Sequence, residues 1–345
     1  MYLKHYGLSV KPFEINSNPD FLWFGEKHKE AYALLRYGVL ENKGLLLLTG
    51  DVGVGKTTLI TALVGELSES VIHMTISDPG VEMMDFYRYL AQGFGLNAMF
   101  LNKIEFLRIF RAFLCESYDK GKSVLLIIDE AQRMGQELLE DVRLLSNIEK
   151  DGSKLINVFF VGQPEFLDAL AHTSSRALRQ RITASYTLEP LELKETYRYI
   201  AARLTKAGAQ ANFFTKSAIE EIHLYSAGSP RMINALCDMA MVVGFAKGVT
   251  RLEKQTIRDG ARKLPGIAIP VKKSSKSMAP VKQVISQENM GACTDQGESV
   301  NIPGKRFSGS FFLMAGIAVF LLFAVGLVWI QLGGIGAISS YLNAR

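Results

Sequence analysis

Cysteine is scarce in this 345-residue chain: Cys115, Cys237 and Cys293 are the whole complement, and none has metal-binding or redox spacing. That excludes a disulfide scaffold, a zinc finger or a thioredoxin-type centre, and leaves small buried hydrophobes or idle thiols. No secretory leader is expected either, because Met1-Tyr2-Leu3-Lys4-His5-Tyr6 has no apolar h-region. Charge of one sign is not in large excess. A net charge of +5 is too mild to be the footprint of a dedicated nucleic-acid binder. No internal repeat is visible. The most telling absence lies near the C-terminus, where no Asp, Glu, Lys or Arg occurs from Phe307 to Leu342.

Within that uncharged stretch, Phe311 to Leu332 has Gln331 as its one strongly polar residue. As a helix rising 1.5 Å per residue it would be roughly 33 Å long, enough for a hydrocarbon core of roughly 30 Å. A transmembrane helix is therefore expected over residues 310–332, with a short tail at 333–345; a buried core helix is the blander alternative. Lys305 and Arg306 precede the span and only Arg345 follows it. By the positive-inside rule the large N-terminal part is expected in the cytoplasm, which would make the protein a single-pass protein of a bacterial inner membrane.

What is there, above all, is Gly50-Asp51-Val52-Gly53-Val54-Gly55-Lys56-Thr57 followed by Thr58. It fits the P-loop pattern G-x-x-x-x-G-K-[ST] in the required setting. Leu45-Leu46-Leu47-Leu48-Thr49 reads as a buried strand before it, and Thr58 to Val64 as a helix after it. Glycines let backbone N–H groups curl round a phosphate chain, and the helix N-terminus adds its positive dipole end. Lys56 is expected to reach the β- and γ-phosphates of ATP, and the Thr57 hydroxyl to bind Mg²⁺.

Strand patterns at Gly44–Thr49, Val71–Ile76, Ser123–Ile128, Leu155–Val161 and Ser185–Leu188 alternate with helix patterns at Glu26–Glu41, Glu82–Phe94, Ile104–Tyr118 and Gln136–Ile148. Such alternation predicts an α/β domain with a parallel sheet covered on both faces. Beyond Pro190 the pattern is helical only, at Leu193–Ala207, Thr215–Ser226, Pro230–Ala246 and Lys254–Leu264. The chain thus divides into an N-terminal segment (1–42), a P-loop core (43–190), a small helical domain (191–264) and a flexible linker (265–306). The linker holds four prolines and carries a net charge of +3. It reads either as a segment near anionic head groups or as a solvated tether.

A second chemical signal follows about 70 residues after the P-loop. Val124 to Ile128 is an apolar strand ending in Asp129-Glu130. Asp129 is placed to hold Mg²⁺ through water, as a Walker B aspartate does. Glu130 is placed to orient or deprotonate an attacking water. A second carboxylate separates a hydrolase from a simple nucleotide binder.

Taken together, Gly50–Thr58 and Asp129-Glu130-Ala131-Gln132 resemble the AAA+ ATPases of the general secretion pathway protein A type, whose relatives act in pilus biogenesis and exopolysaccharide export. So do the opening Met1-Tyr2-Leu3 with Gly7-Leu8 and Pro12-Phe13, then Phe21-Leu22 and His28-Lys29-Glu30-Ala31. Val161-Gly162-Gln163-Pro164-Glu165, Leu178-Arg179-Gln180-Arg181-Ile182 and Gly228-Ser229-Pro230-Arg231 complete the set. The resemblance implies an AAA+ fold with a helical lid. It implies that Gln163 is sensor 1, facing the γ-phosphate, and that Arg231 is sensor 2, bridging lid and phosphate. It also implies that Arg181 or Arg179 is an arginine finger acting on ATP in a neighbouring subunit, which requires an oligomer, a ring in the simplest case. A structural ion pair is the alternative for either arginine. Tyr2, Tyr6 and Phe13 fit core packing better than an adenine wall. Met83-Met84 and Phe106, Phe110 and Phe113 read as helix core.

Only about a dozen residues follow Leu332, so a wall-binding domain of the kind secretion-type members carry is not expected. The leading expectation is a membrane-anchored ATPase serving an envelope export system for secretion, pili or exopolysaccharide, with machinery components as partners. A DNA-binding AAA+ regulator of the transposition-helper type and a nucleotide-gated scaffold with little turnover are the alternatives. The membrane span and weak basic character speak against nucleic acid.

Overall fold

The computed structural model describes residues 1–14 and 21–265. The expected span at 310–332, the tail, the linker from residue 266 on and Cys293 lie outside them. Among the described residues no helix is long and apolar enough to cross a membrane.

The order is α1 (Leu3–Tyr6), α2 (Glu26–Leu40), β1 (Leu45–Gly50), α3 (Lys56–Gly65), β2 (Val71–Ile76), α4 (Met83–Gly93), α5 (Lys103–Asp119), β3 (Ser123–Ile128) and α6 (Gln136–Leu145). A small hairpin of β4 (Glu149–Lys150) and β5 (Ser153–Lys154) leads to β6 (Asn157–Gly162), α7 (Glu165–Ala171), α8 (Arg176–Arg179) and β7 (Ile182–Leu188). Four helices finish the described chain: α9 (Leu193–Lys206), α10 (Lys216–Ser226), α11 (Pro230–Ala246) and α12 (Lys254–Ala261).

Five strands form one sheet in the order β2-β3-β6-β1-β7, every neighbouring pair parallel. Each parallel crossover runs through helices, which is why both faces are covered and the inner strands read as unbroken apolar runs. Side chains alternate between the faces. Leu45, Leu47, Leu126, Val158 and Phe160 point into one core with α4, α5 and α6. Leu46, Leu48, Leu125, Phe159 and Val161 point into the other, with α2 and α3. Phe160 is fully buried, so truncating it to alanine would cost about 3–5 kcal/mol.

The strand limits differ from the sequence expectation for a physical reason. β7 is an edge strand whose residues alternate in exposure until Leu188, so its first half lacks an apolar run and it starts three residues earlier than Ser185. Leu155 and Ile156 are buried but lie ahead of the pairing that starts at Asn157. Apolarity there marks burial, not the ladder.

The helical part has its own core, and the N-terminus completes it. Tyr2, Tyr6, Leu8, Phe13 and Phe21 pack with Ile200, Ile233, Leu236, Met241 and Leu252. The Tyr2 hydroxyl donates to Asp238, and the Tyr6 hydroxyl donates to the Met241 carbonyl at 3.2 Å. Local signals hold the helices: Pro230 opens α11, and a reciprocal Glu192–Glu195 capping box opens α9. Residues 1–42 therefore do not pack as one body. Their first part belongs to the helical core, whereas α2 lies on the sheet.

Candidate active site

The strand order brings the chemistry together. β6 stands between β1 and β3, so the turn after β1, Asp129 after β3 and Gln163 after β6 all emerge from the carboxyl ends of adjacent strands. Adjacent strands lie about 4.8 Å apart, so the two outer turns are within roughly 10 Å. Ligands of open α/β sheets bind at this end.

The P-loop wraps the N-terminus of α3. Gly53 and Gly55 have φ of +80° and +110°, which side-chain-bearing residues rarely adopt. Lys56 is buried and donates to the carbonyls of Gly50 at 2.7 Å and Asp51 at 3.1 Å. Burial pushes the Lys56 ammonium below its ordinary range, against the pull of Glu130, Asp129 and Asp51. Asp51 and Val52 are exposed at the loop tip. His28 of α2, outside the sequence-derived set of roles, is buried behind the loop and donates from Nε2 to the Val54 carbonyl at 3.0 Å. A carbonyl only accepts, so Nε2 carries the proton.

Thr57 donates its hydroxyl to Asp129 Oδ2 at 2.8 Å, while Asp129 Oδ1 accepts the Glu130 N–H at 2.9 Å. Among the described residues no group of three His, Cys, Asp or Glu side chains forms a metal cage. The facing Thr57 hydroxyl and Asp129 carboxylate fit a magnesium ion that takes its remaining ligands from phosphate and water. Glu130 has φ +52° and ψ +39°, a left-handed conformation that costs a non-glycine residue about 1–3 kcal/mol. Gln163 donates from Nε2 to Glu130 Oε2 at 3.2 Å.

One cleft of about 380 Å³ runs from this cluster toward the helical domain. Val52–Thr58, Glu130, Gln163 and Arg231 line it on the P-loop side. Arg231 joins through its backbone, whose N–H donates to the Gly53 carbonyl at 3.2 Å; its side chain is exposed. The far end is lined by Trp23, Tyr199, Arg203 and Asn234 among others. Arg203 is buried, donating to the Pro12 carbonyl at 2.6 Å and to the Tyr199 hydroxyl at 2.6 Å, and Tyr199 donates to Asn234 Oδ1 at 3.0 Å. Tyr2, Tyr6 and Phe13 lie in the helical core and do not line the cleft. Neither do Arg179 and Arg181. Arg179 is exposed and reaches the Leu170 carbonyl at 3.5 Å. Arg143 chiefly, with Arg181 a lesser contributor, holds the Glu140 carboxyl below its ordinary range.

A phosphate-cradling turn, a paired carboxylate at the end of the third strand and a helical domain docked over both define a P-loop protein of the AAA+ class. Residues 39–170 match the AAA domain family AAA_22, and the chain belongs to that class. Within it the kinship is with the general secretion pathway protein A type: the protein of that name from Aeromonas hydrophila is 36% identical over 275 residues, 77% of this chain and 49% of the relative. An uncharacterized HTH-type transcriptional regulator from Methanocaldococcus jannaschii is 27% identical over 225 residues, 61% of this chain and 53% of its own length. The chain spans about half the length of these curated relatives. Among solved structures, the Aeropyrum pernix ORC2 protein with ADPNP and ADP has a TM-score of 0.55 at 20% identity, covering 73% of this chain and 71% of that one. Cdc6p from Pyrobaculum aerophilum has a TM-score of 0.55 at 15% identity, covering 77% and 72%. These two carry the fold alone.

Proposed function

We propose that this chain hydrolyses ATP to ADP and phosphate and that the hydrolysis powers or regulates assembly of an envelope export system. The observation that carries the reading is the Thr57–Asp129 contact at 2.8 Å, with Glu130 and Gln163 beside it and Lys56 behind. In this reading the P-loop amides and Lys56 hold the β- and γ-phosphates, and Thr57 and Asp129 hold Mg²⁺. The ion neutralises charge on the transferred group when bound. Glu130 takes the proton of the attacking water, Gln163 faces the γ-phosphate, and Arg231 closes the helical lid. Catalysis is positioning and charge compensation.

The export role, in secretion, pilus or exopolysaccharide assembly, rests on the likeness to general secretion pathway protein A. The membrane anchor at 310–332, the bacterial inner-membrane location with the ATPase domain on the cytoplasmic side, and a ring assembly rest on the sequence. Phosphate release by the full-length protein tests the enzyme claim. Lys56→Ala and Glu130→Gln are expected to lower it at least about a hundredfold, and a rate equal to wild type in both overturns it. A nucleotide-gated scaffold would bind ATP with no release in any of the three. The likeness to an HTH-type regulator favours one further reading, ATP-dependent DNA binding, which a gel shift with duplex DNA at varied salt would reveal.

A further inference from the structure

We propose that Gln132 is the positioning residue of this site, clamping the Glu130 carboxylate in register with Gln163; this rests on reading Glu130 as the group that accepts the water's proton. Gln132 lies in the 3₁₀ turn Ala131–Arg133 that follows the left-handed Glu130. The turn is fixed by the Arg133 N–H donating to the Glu130 carbonyl at 2.9 Å and by the buried Ala131.

The amide of Gln132 has only one workable orientation. Its Oε1 accepts the backbone N–H of Gln163 at 3.0 Å, and a backbone N–H can only donate. The Nε2 end is therefore the one that meets Glu130, donating to Oε2. Gln163 Nε2 donates to the same oxygen at 3.2 Å. Glu130 Oε2 thus takes two N–H donors, while Oε1 has no hydrogen-bond partner among the described residues. One oxygen is held and the other is left for a water proton. Gln132 ties together the carboxyl ends of β3 and β6, which no local sequence spacing would connect.

Gly162 supplies the space. A Cβ at that position would stand 3.0 Å from Gln132 Oε1, closer than ordinary contact. Gly162→Ala should therefore displace the clamp without touching Glu130.

The informative variant is Gln132→Glu in the full-length protein. It keeps an oxygen for the Gln163 N–H and replaces the donor with a carboxylate facing Glu130. Positioned proton transfer is worth about 10²–10⁴-fold, so kcat is expected to fall at least about tenfold. Affinity for a fluorescent ATP analogue should stay within about twofold, because no phosphate contact is lost. On a Glu130→Gln background, followed in single turnovers, the same change is expected to cost nothing further, since coupled residues are not additive. Gly162→Ala should lower kcat in the same way, less steeply.

A Gln132→Glu rate within about twofold of wild type overturns the assignment. So does an equal loss in both backgrounds, or a loss matched by weaker nucleotide binding, since either marks a merely structural role. If wild type, Lys56→Ala and Glu130→Gln all release phosphate alike, the ATPase reading itself fails; if only Glu130→Gln matches wild type, the clamp fails and the ATPase reading stands.

Discussion

The backbone N–H of Arg231 donates to the carbonyl of Gly53 at 3.2 Å, so the first turn of α11 is docked on the phosphate loop itself. Ser229 reinforces the contact by donating its hydroxyl to the same carbonyl at 3.4 Å. A Cβ on Gly53 would come within 2.8 Å of the Arg231 Cβ and 2.9 Å of Ser229 Oγ. Gly53→Ala is expected to destabilise the protein by about 1–3 kcal/mol, because both the left-handed backbone and the docking contact are lost. Thermal melting would register the loss. Weaker binding of a fluorescent ATP analogue should accompany it.

The two arginines ahead of β7 should separate in a mixing experiment. Arg179 is tied to the Leu170 carbonyl of its own chain, whereas the Arg181 guanidinium makes no hydrogen bond among the described residues, its backbone N–H alone donating, to the Leu178 carbonyl at 2.9 Å. Arg181→Ala is therefore expected to lose phosphate release by about 10³–10⁵-fold if it serves a neighbouring subunit, and Arg179→Ala by much less. Adding Lys56→Ala subunits, which keep Arg181, should restore part of the rate. No recovery on mixing would point to a site complete within one chain.

Acid should weaken the fold through two histidines. Burial depresses both His28 and His223 below the ordinary imidazole range. For His28 the Val54 carbonyl and Glu195 pull the other way. A depressed folded-state value means that the unfolded chain takes up protons first. The neutral folded forms therefore carry no penalty above about pH 6.5, and stability falls as the pH drops below that value toward the folded-state values. The melting temperature is expected to decline over that window. His223→Gln, which removes one of the two groups, should flatten the decline. An unchanged slope would show that carboxylates dominate instead.

The parallel sheet and its helices were legible because each strand is a local apolar run and each helix a local period. The P-loop and Asp129-Glu130 are short contiguous strings whose chemistry is written in order. What the sequence did not disclose is pairing across the fold. Nothing in the spacing of Gln132 and Gln163 says that β6 lies beside β3. Tyr199 and Arg203, four apart on α9, could be placed on one helix face, but their partners Pro12 and Asn234 come from opposite ends of the described chain. His28 was visible as part of an N-terminal motif, yet its hold on the Val54 carbonyl depends on α2 packing against α3. The short hairpin and α7 and α8 were missed because segments of two to seven residues give no period to detect.

The shared core of the N-terminus and the helical domain sets an order of events during synthesis. Tyr2 and Asp238 are 236 positions apart, so Tyr2 must wait for the synthesis of α11 before it finds its place. Contacts of such long sequence separation form late and slowly, after loop closure has been met by other interactions. The sheet can assemble while Tyr2, Tyr6 and Phe13 remain uncovered, and those aromatics are then the surface that a nascent chain of this protein exposes longest.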